Sequence, residues 1–159
     1  MKKFFSMLFI ATLLGLVFTA CGDDKDEPEL PTTQNLESVH ENPTDSYYVF
    51  DIDMNTNKGT IYMHNIQFAG APHKMTLRVE VPVSLNSSKD AYVMAGTDLV
   101  ADMEMPSVGW VPMTDERYHL NNLTCTVNPG AKSYSISFEA HGGHFSDSGD
   151  LTDAAHLEG

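Results

Sequence analysis

From Ser46 onward the chain alternates apolar and polar residues over short stretches separated by turn residues. This is the period of half-buried strands. Residues 74–81 show it most clearly: Met75, Leu77, Val79 and Val81 alternate with Lys74, Thr76, Arg78 and Glu80. One face of such a segment meets a core and the other meets water. Residues 133–140 repeat the pattern, with Tyr134, Ile136, Phe138 and Ala140 set against Ser133, Ser135, Ser137 and Glu139. Further strands are predicted over 47–53, 60–68, 92–94, 99–105 and 118–127, with a short last strand around Phe145.

The connections carry turn chemistry. Asn55, Asn57 and Gly59 tolerate the positive φ of a hairpin between the first two of these strands. Asn128, Pro129 and Gly130 mark another turn, and Gly96 to Asp98 a bend. Pro82 lacks an N–H and predicts an edge, a bulge or a break before Val83 and Leu85. Residues 106–115 read as irregular, and Asp150 as the cap of a short terminal helical turn. The fold class is therefore all-β: an antiparallel β-barrel of about eight strands, or alternatively a two-sheet β-sandwich.

The N-terminal third has a different character. Lys2 and Lys3 precede an almost wholly apolar run from Phe4 to Phe18, followed by the small residues Thr19 and Ala20. This is the layout of a secretory signal peptide over 1–20, and it is short for a bilayer crossing of about 20 residues. Phe18, Thr19, Ala20 and Cys21 resemble the lipobox of bacterial lipoproteins. The resemblance implies cleavage between Ala20 and Cys21 and a diacylglyceryl group on the Cys21 thiol. Several acyl chains anchor a protein stably where one does not.

Gly22 is followed by Asp23, Asp24, Lys25, Asp26 and Glu27, which resembles the acidic export signal of Bacteroidota lipoproteins destined for the outer face of the outer membrane. Residues 21–45, rich in Asp, Glu, Pro, Thr and Asn, read as a lipidated, flexible acidic tether, and 46–159 as the β domain.

Charge narrows the partners. The formal charge is −13, and loss of Lys2 and Lys3 with the leader leaves 7 Lys and Arg against 22 Asp and Glu. That balance excludes nucleic acid as an expected partner, because phosphate binding requires concentrated Lys and Arg. With Cys21 committed to lipid, Cys125 is unpaired and the domain is expected to hold without a disulfide.

Residues 46–150 also resemble the calycin-like, or lipocalin-like, lipoproteins of Bacteroidota. The resemblance rests on Gly59, Thr60 and Ile61 entering a strand, on Val81, Pro82 and Val83 at an amphipathic strand's end, and on the step Leu120 to Leu123. It implies a barrel. It transfers no functional residue, and the Gly-X-Trp signature of lipocalins is absent from the first strand, Trp110 lying mid-chain.

Candidate chemistry is sparse. Asp51, Asp53, Asn55 and Asn57 alternate oxygen donors as a calcium loop does, but Thr56 and Tyr62 stand where its Gly and bidentate Glu belong. His141 and His144, near Asp147, Asp150 and His156, are the candidate metal ligands, although Gly142 and Gly143 between them read first as a turn. No Gly-X-Ser-X-Gly elbow appears, and Cys125 falls on an apolar face, so no catalytic residue and no cofactor is expected. Asp51, Asp53, Asp102 and Glu104 read as solvated surface.

Trp110, Tyr118 and Tyr62, with Tyr47 and Tyr48, are the flat faces available to a ligand, and Met63, Met75, Met103 and Met105 read as core packing. The function expected from these features is a surface-anchored, non-catalytic barrel that binds a small apolar or glycan-like ligand. The alternative is an accessory subunit of a surface assembly that meets a surface protein partner.

Overall fold

The computed structural model describes residues 29–154. Ten strands run β1 (Thr33–Ser38), β2 (Tyr47–Asp53), β3 (Lys58–Ile66), β4 (Met75–Leu85), β5 (Tyr92–Gly96), β6 (Asp102–Met105), β7 (Gly109–Pro112), β8 (Asn121–Asn128), β9 (Ser133–Ala140) and β10 (Gly143–Asp153). A 3₁₀ turn, Glu116–Tyr118, precedes β8. Strands β1 to β5 and β8 to β10 each pair antiparallel with their neighbours in an up-and-down order. The β1–β10 and β3–β4 ladders close them into an eight-stranded barrel, so the sandwich alternative falls away. The β6–β7 hairpin is an excursion between β5 and β8 that adds to the lower-numbered end of β4 through Leu77–Met103 and Arg78–Asp102.

β4 changes partner midway. Its Leu77 and Arg78 meet β6, whereas Val83 to Leu85 meet β5. Val83 N–H donates to Asn57 on the β3 side at 3.1 Å, so alternation turns the nitrogen of Pro82 to the other side, between the β6 and β5 pairings. A residue without an N–H is tolerated there because no ladder bond is required of it. The proline therefore marks a change of partner within one continuous strand.

Strand ends shift by up to about three residues from the sequence reading, and three differences go further. The tether assigned to 21–45 contains β1, whose Leu36 and Ser38 are buried and which pairs with β2 and β10, so the barrel begins before Ser46. A polar strand with one large apolar residue carries almost no periodic signal. β7 lies in the stretch read as irregular. The strand around Phe145 runs eleven residues and includes Asp150, which caps no helix.

The interior is filled. Phe50, Ile52, Ile61, Leu77, Met94 and Val127 are each 0% exposed, and Phe138, Leu123 and Cys125 are 1% exposed. Burying each such large side chain contributes about 1.5–3 kcal/mol before entropy is counted, and an eight-stranded barrel is just wide enough for side chains to occupy its interior. At the lower end, where the chain joins the barrel, Tyr92 Oη donates to the Pro31 carbonyl at 2.6 Å and Met54 N–H to Thr32 at 2.7 Å, with Leu30 packed on the core. The upper end carries the longer connections: 39–46, 67–74 and the segment holding β6, β7 and the 3₁₀ turn.

Candidate functional site

The upper end is shaped by two local conformations. His141 and Gly142, with φ of 49° and 72°, form the two-residue loop joining β9 to β10. Positive φ at both positions matches the right-handed twist of the flanking strands, which explains the His-Gly-Gly-His run as hairpin chemistry. Gly70, at φ 79°, lets the β3–β4 connection turn back, with Ala71 N–H donating to Phe68 at 3.0 Å and Gln67 Nε2 to Ala71 at 2.9 Å.

The two loops meet. His141 Nδ1 lies 3.1 Å from the Ala69 carbonyl oxygen, and His141 N–H donates to Arg117 at 2.7 Å. The imidazole stacks on Tyr118 at 4.9 Å and 12°, and Tyr118 tilts against Phe68 at 5.8 Å. Arg117 lies over the Tyr118 ring at 5.9 Å and also grips Asp115 through Nη2 at 2.6 Å. The Arg117 hydrogen bonds hold the Asp115 carboxyl down to about 2.

Between these walls and the underside of the β6–β7 hairpin is a mainly apolar pocket of about 460 Å³. Met75, Met103, Met113, Tyr118, His141 and residues 70–73 line it. Its volume falls in the range of small-molecule sites, roughly 300–1,000 Å³. Of the concavities on the outer faces, that of β8 to β10 is lined by Thr124, Thr126, Ser135 and Ser137 and their neighbours, a solvated polar surface.

The residues singled out from sequence separate into three places. Tyr118 and His141 line the apolar pocket. His144 is exposed on β10, and among the described residues no three or more His, Cys, Asp or Glu side chains converge in a metal-holding group. His156, Ala20 and Cys21 lie outside the described residues. Trp110 and Tyr62 come together on the outer surface, ring centroids 6.0 Å apart, with the Arg78 guanidinium 4.6 Å from the Trp110 centroid and Nε 2.9 Å from Asp102 Oδ2. Tyr47 is sandwiched between His40 and His64, each at 4.2 Å, so both its faces are covered. Tyr48 is buried, tilted against Tyr134.

The acidic hairpin read as a possible calcium loop is a side-chain-braced turn. Asp53 Oδ1 accepts from Asn55 N–H at 2.8 Å and Oδ2 from Thr56 Oγ1 at 3.0 Å, and these bonds hold its carboxyl below the usual range. Cys125 is buried, and desolvation pushes its thiol far above the ordinary value, which suppresses the nucleophilic thiolate. Sequence reasoning missed Met113 and the 70–73 loop as parts of the site. Met75 and Met103 carried a core-face signal, but no local pattern shows that an excursion hairpin pairs with the upper part of β4.

The chain matches no protein-family model, no curated protein and no solved structure.

Proposed function

We propose that this chain is a surface-anchored bacterial lipoprotein of the calycin-like kind, held in the outer membrane by lipid on Cys21, whose barrel binds a small apolar ligand without catalysis. The observation that carries the binding reading is the apolar upper pocket with its wall of Met75, Met103, Met113 and Tyr118. Because the barrel interior is filled, the ligand sits at the mouth of the barrel and not along its axis. The closed up-and-down order of eight strands supports the calycin-like reading, and the lipobox and acidic run support the anchor and the address.

The assembly alternative has weaker support. Two edges are free among the described residues: β7, four residues long and ending in Pro112, and β10 from Gly143 to Gly149, where Asp147 accepts from the Tyr134 hydroxyl at 2.9 Å. Short length, proline and an inward-turned acid are the features by which sheet edges discourage pairing with another chain.

The test is a titration of the full chain with N-phenyl-1-naphthylamine, a neutral apolar fluorophore. One saturable site, weakened at least about tenfold by Tyr118→Ala (the loss of roughly 1.4 kcal/mol), is the expected result. Absence of saturation, or indifference to that substitution, rejects the reading. Radiolabelled palmitate incorporated in cells by the chain, and lost in Cys21→Ser, tests the anchor.

A further inference from the structure

The pocket walls hold three of the chain's nine methionines. Met75 is on β4, Met103 on β6, and Met113 directly follows β7. Leu77 opposes Met103, and Met103 opposes Val111, so alternation places Met75, Met103 and Met113 on one face. Met113 N–H donates to Ala101 at 2.9 Å and so holds that residue beside β6. Aliphatic side chains would bury the same surface; thioethers add a soft donor, the ligand class that selects copper(I).

His141 also lines the pocket and offers a fourth potential donor. The Ala69 carbonyl can only accept, so His141 Nδ1 carries a proton, and in the neutral ring the lone pair is on Nε2. Metal-bound imidazoles are commonly held this way, one nitrogen fixed by a carbonyl and the other free to coordinate. The Arg117 backbone bond and the Tyr118 stack fix the ring further.

We propose that the upper pocket is also a site for a soft monovalent cation, copper(I) or silver(I), bound by the thioethers of Met75, Met103 and Met113 and by His141 Nε2. This rests on the pocket reading above and adds a second ligand class to it. Hard and borderline divalent ions favour carboxylate, imidazole and thiolate sets. No carboxylate lines the pocket, and its only other such donor is His73. The acidic surface raises the local concentration of any cation.

The experiment uses the full chain carrying Cys21→Ser, which leaves the buried Cys125 as the remaining thiol. Copper(I), kept reduced by ascorbate without oxygen, is titrated against bicinchoninate, and bound metal is counted by native mass spectrometry. One ion per chain with sulfur and nitrogen neighbours in the X-ray absorption spectrum is expected. Met75→Leu, Met103→Leu and Met113→Leu together should weaken binding by more than the roughly 10–100-fold that outer partners of metal ligands carry. Silver(I) should compete with N-phenyl-1-naphthylamine.

No copper(I) uptake, or uptake unchanged in the triple variant, overturns the proposal. Should the triple variant lose its β-sheet circular dichroism, the three single substitutions carry the same comparison. Saturable fluorophore binding without metal binding leaves the apolar pocket standing and removes only the cation; loss of both rejects the pocket itself.

Discussion

The Tyr92 hydroxyl donates to the Pro31 carbonyl at 2.6 Å, joining a residue at the start of β5 to the segment that leads into β1. Tyr92 is itself 0% exposed, so this bond ties the incoming chain to the barrel interior. Tyr92→Phe should cost about 1 kcal/mol, the usual net worth of such a bond, read as a lower urea midpoint. A chain beginning at Ser46 lacks β1, which removes Leu36 from the core and breaks both ladders of that strand. It should lose cooperative unfolding; a truncated chain that melts as sharply as the full one would refute the closed ring.

Arg78 shares its guanidinium between the face of Trp110 and the carboxylate of Asp102. Trp110 is the only tryptophan, so its emission reports this contact directly. Arg78→Ala should shift the emission to the red and lower stability by about 0.5–1 kcal/mol, the worth of an exposed cation–π pair. Binding in the upper pocket should be unchanged, because Trp110 and Arg78 do not line it.

His119 Nδ1 lies 2.6 Å from Asp98 Oδ1, and that hydrogen bond raises the imidazole pKa above its ordinary value against the opposing effect of burial. A raised folded-state value means that the stabilisation is complete below the unfolded value of about 6.5 and fades as pH climbs through the folded one. Asp98→Asn should therefore bring the His119 titration down, followed by proton NMR of the ring. Its urea midpoint should fall below the parent's in acid and converge with it in alkali.

The buried Cys125 thiol, its ionisation suppressed by desolvation, should resist a disulfide reagent in the folded Cys21→Ser chain. It should react stoichiometrically once denaturant opens the barrel. Rapid reaction of the native chain would show the interior to be less closed than described.

Where one face of a strand is apolar, the sequence was a close guide. The predicted spans 47–53 and 133–140 coincide with β2 and β9: Ile52 lies between exposed Asp51 and half-buried Asp53, and Ile136 and Phe138 alternate with more exposed neighbours. β1 was illegible because Leu36 is its only large apolar side chain, while Ser38 is buried for a polar reason: its hydroxyl accepts the Tyr48 N–H at 2.8 Å. β10 is longer than the short strand expected around Phe145 because Ser146, Ser148 and Gly149 carry no apolar alternation, and Asp150 reads as a helix cap, whereas β9 supplies the pairing that makes them a strand. The candidate site was half legible. Tyr118 and His141 stood out as chemistry, but the pocket depends on His141 reaching Ala69, 72 positions away. Trp110, the most conspicuous aromatic, was drawn instead to Tyr62 and Arg78 by cross-strand pairing.

The chain joins the barrel at the end opposite the pocket. For a molecule fastened at Cys21, as proposed here, the attachment and the pocket are at opposite ends of the barrel. The link from Cys21 to Glu29 reaches at most roughly 30 Å at about 3.3–3.6 Å per residue, and it arrives at the lower rim. The barrel body then separates the attachment from the pocket, so a ligand can reach the pocket from the surrounding medium while the opposite end carries the anchor.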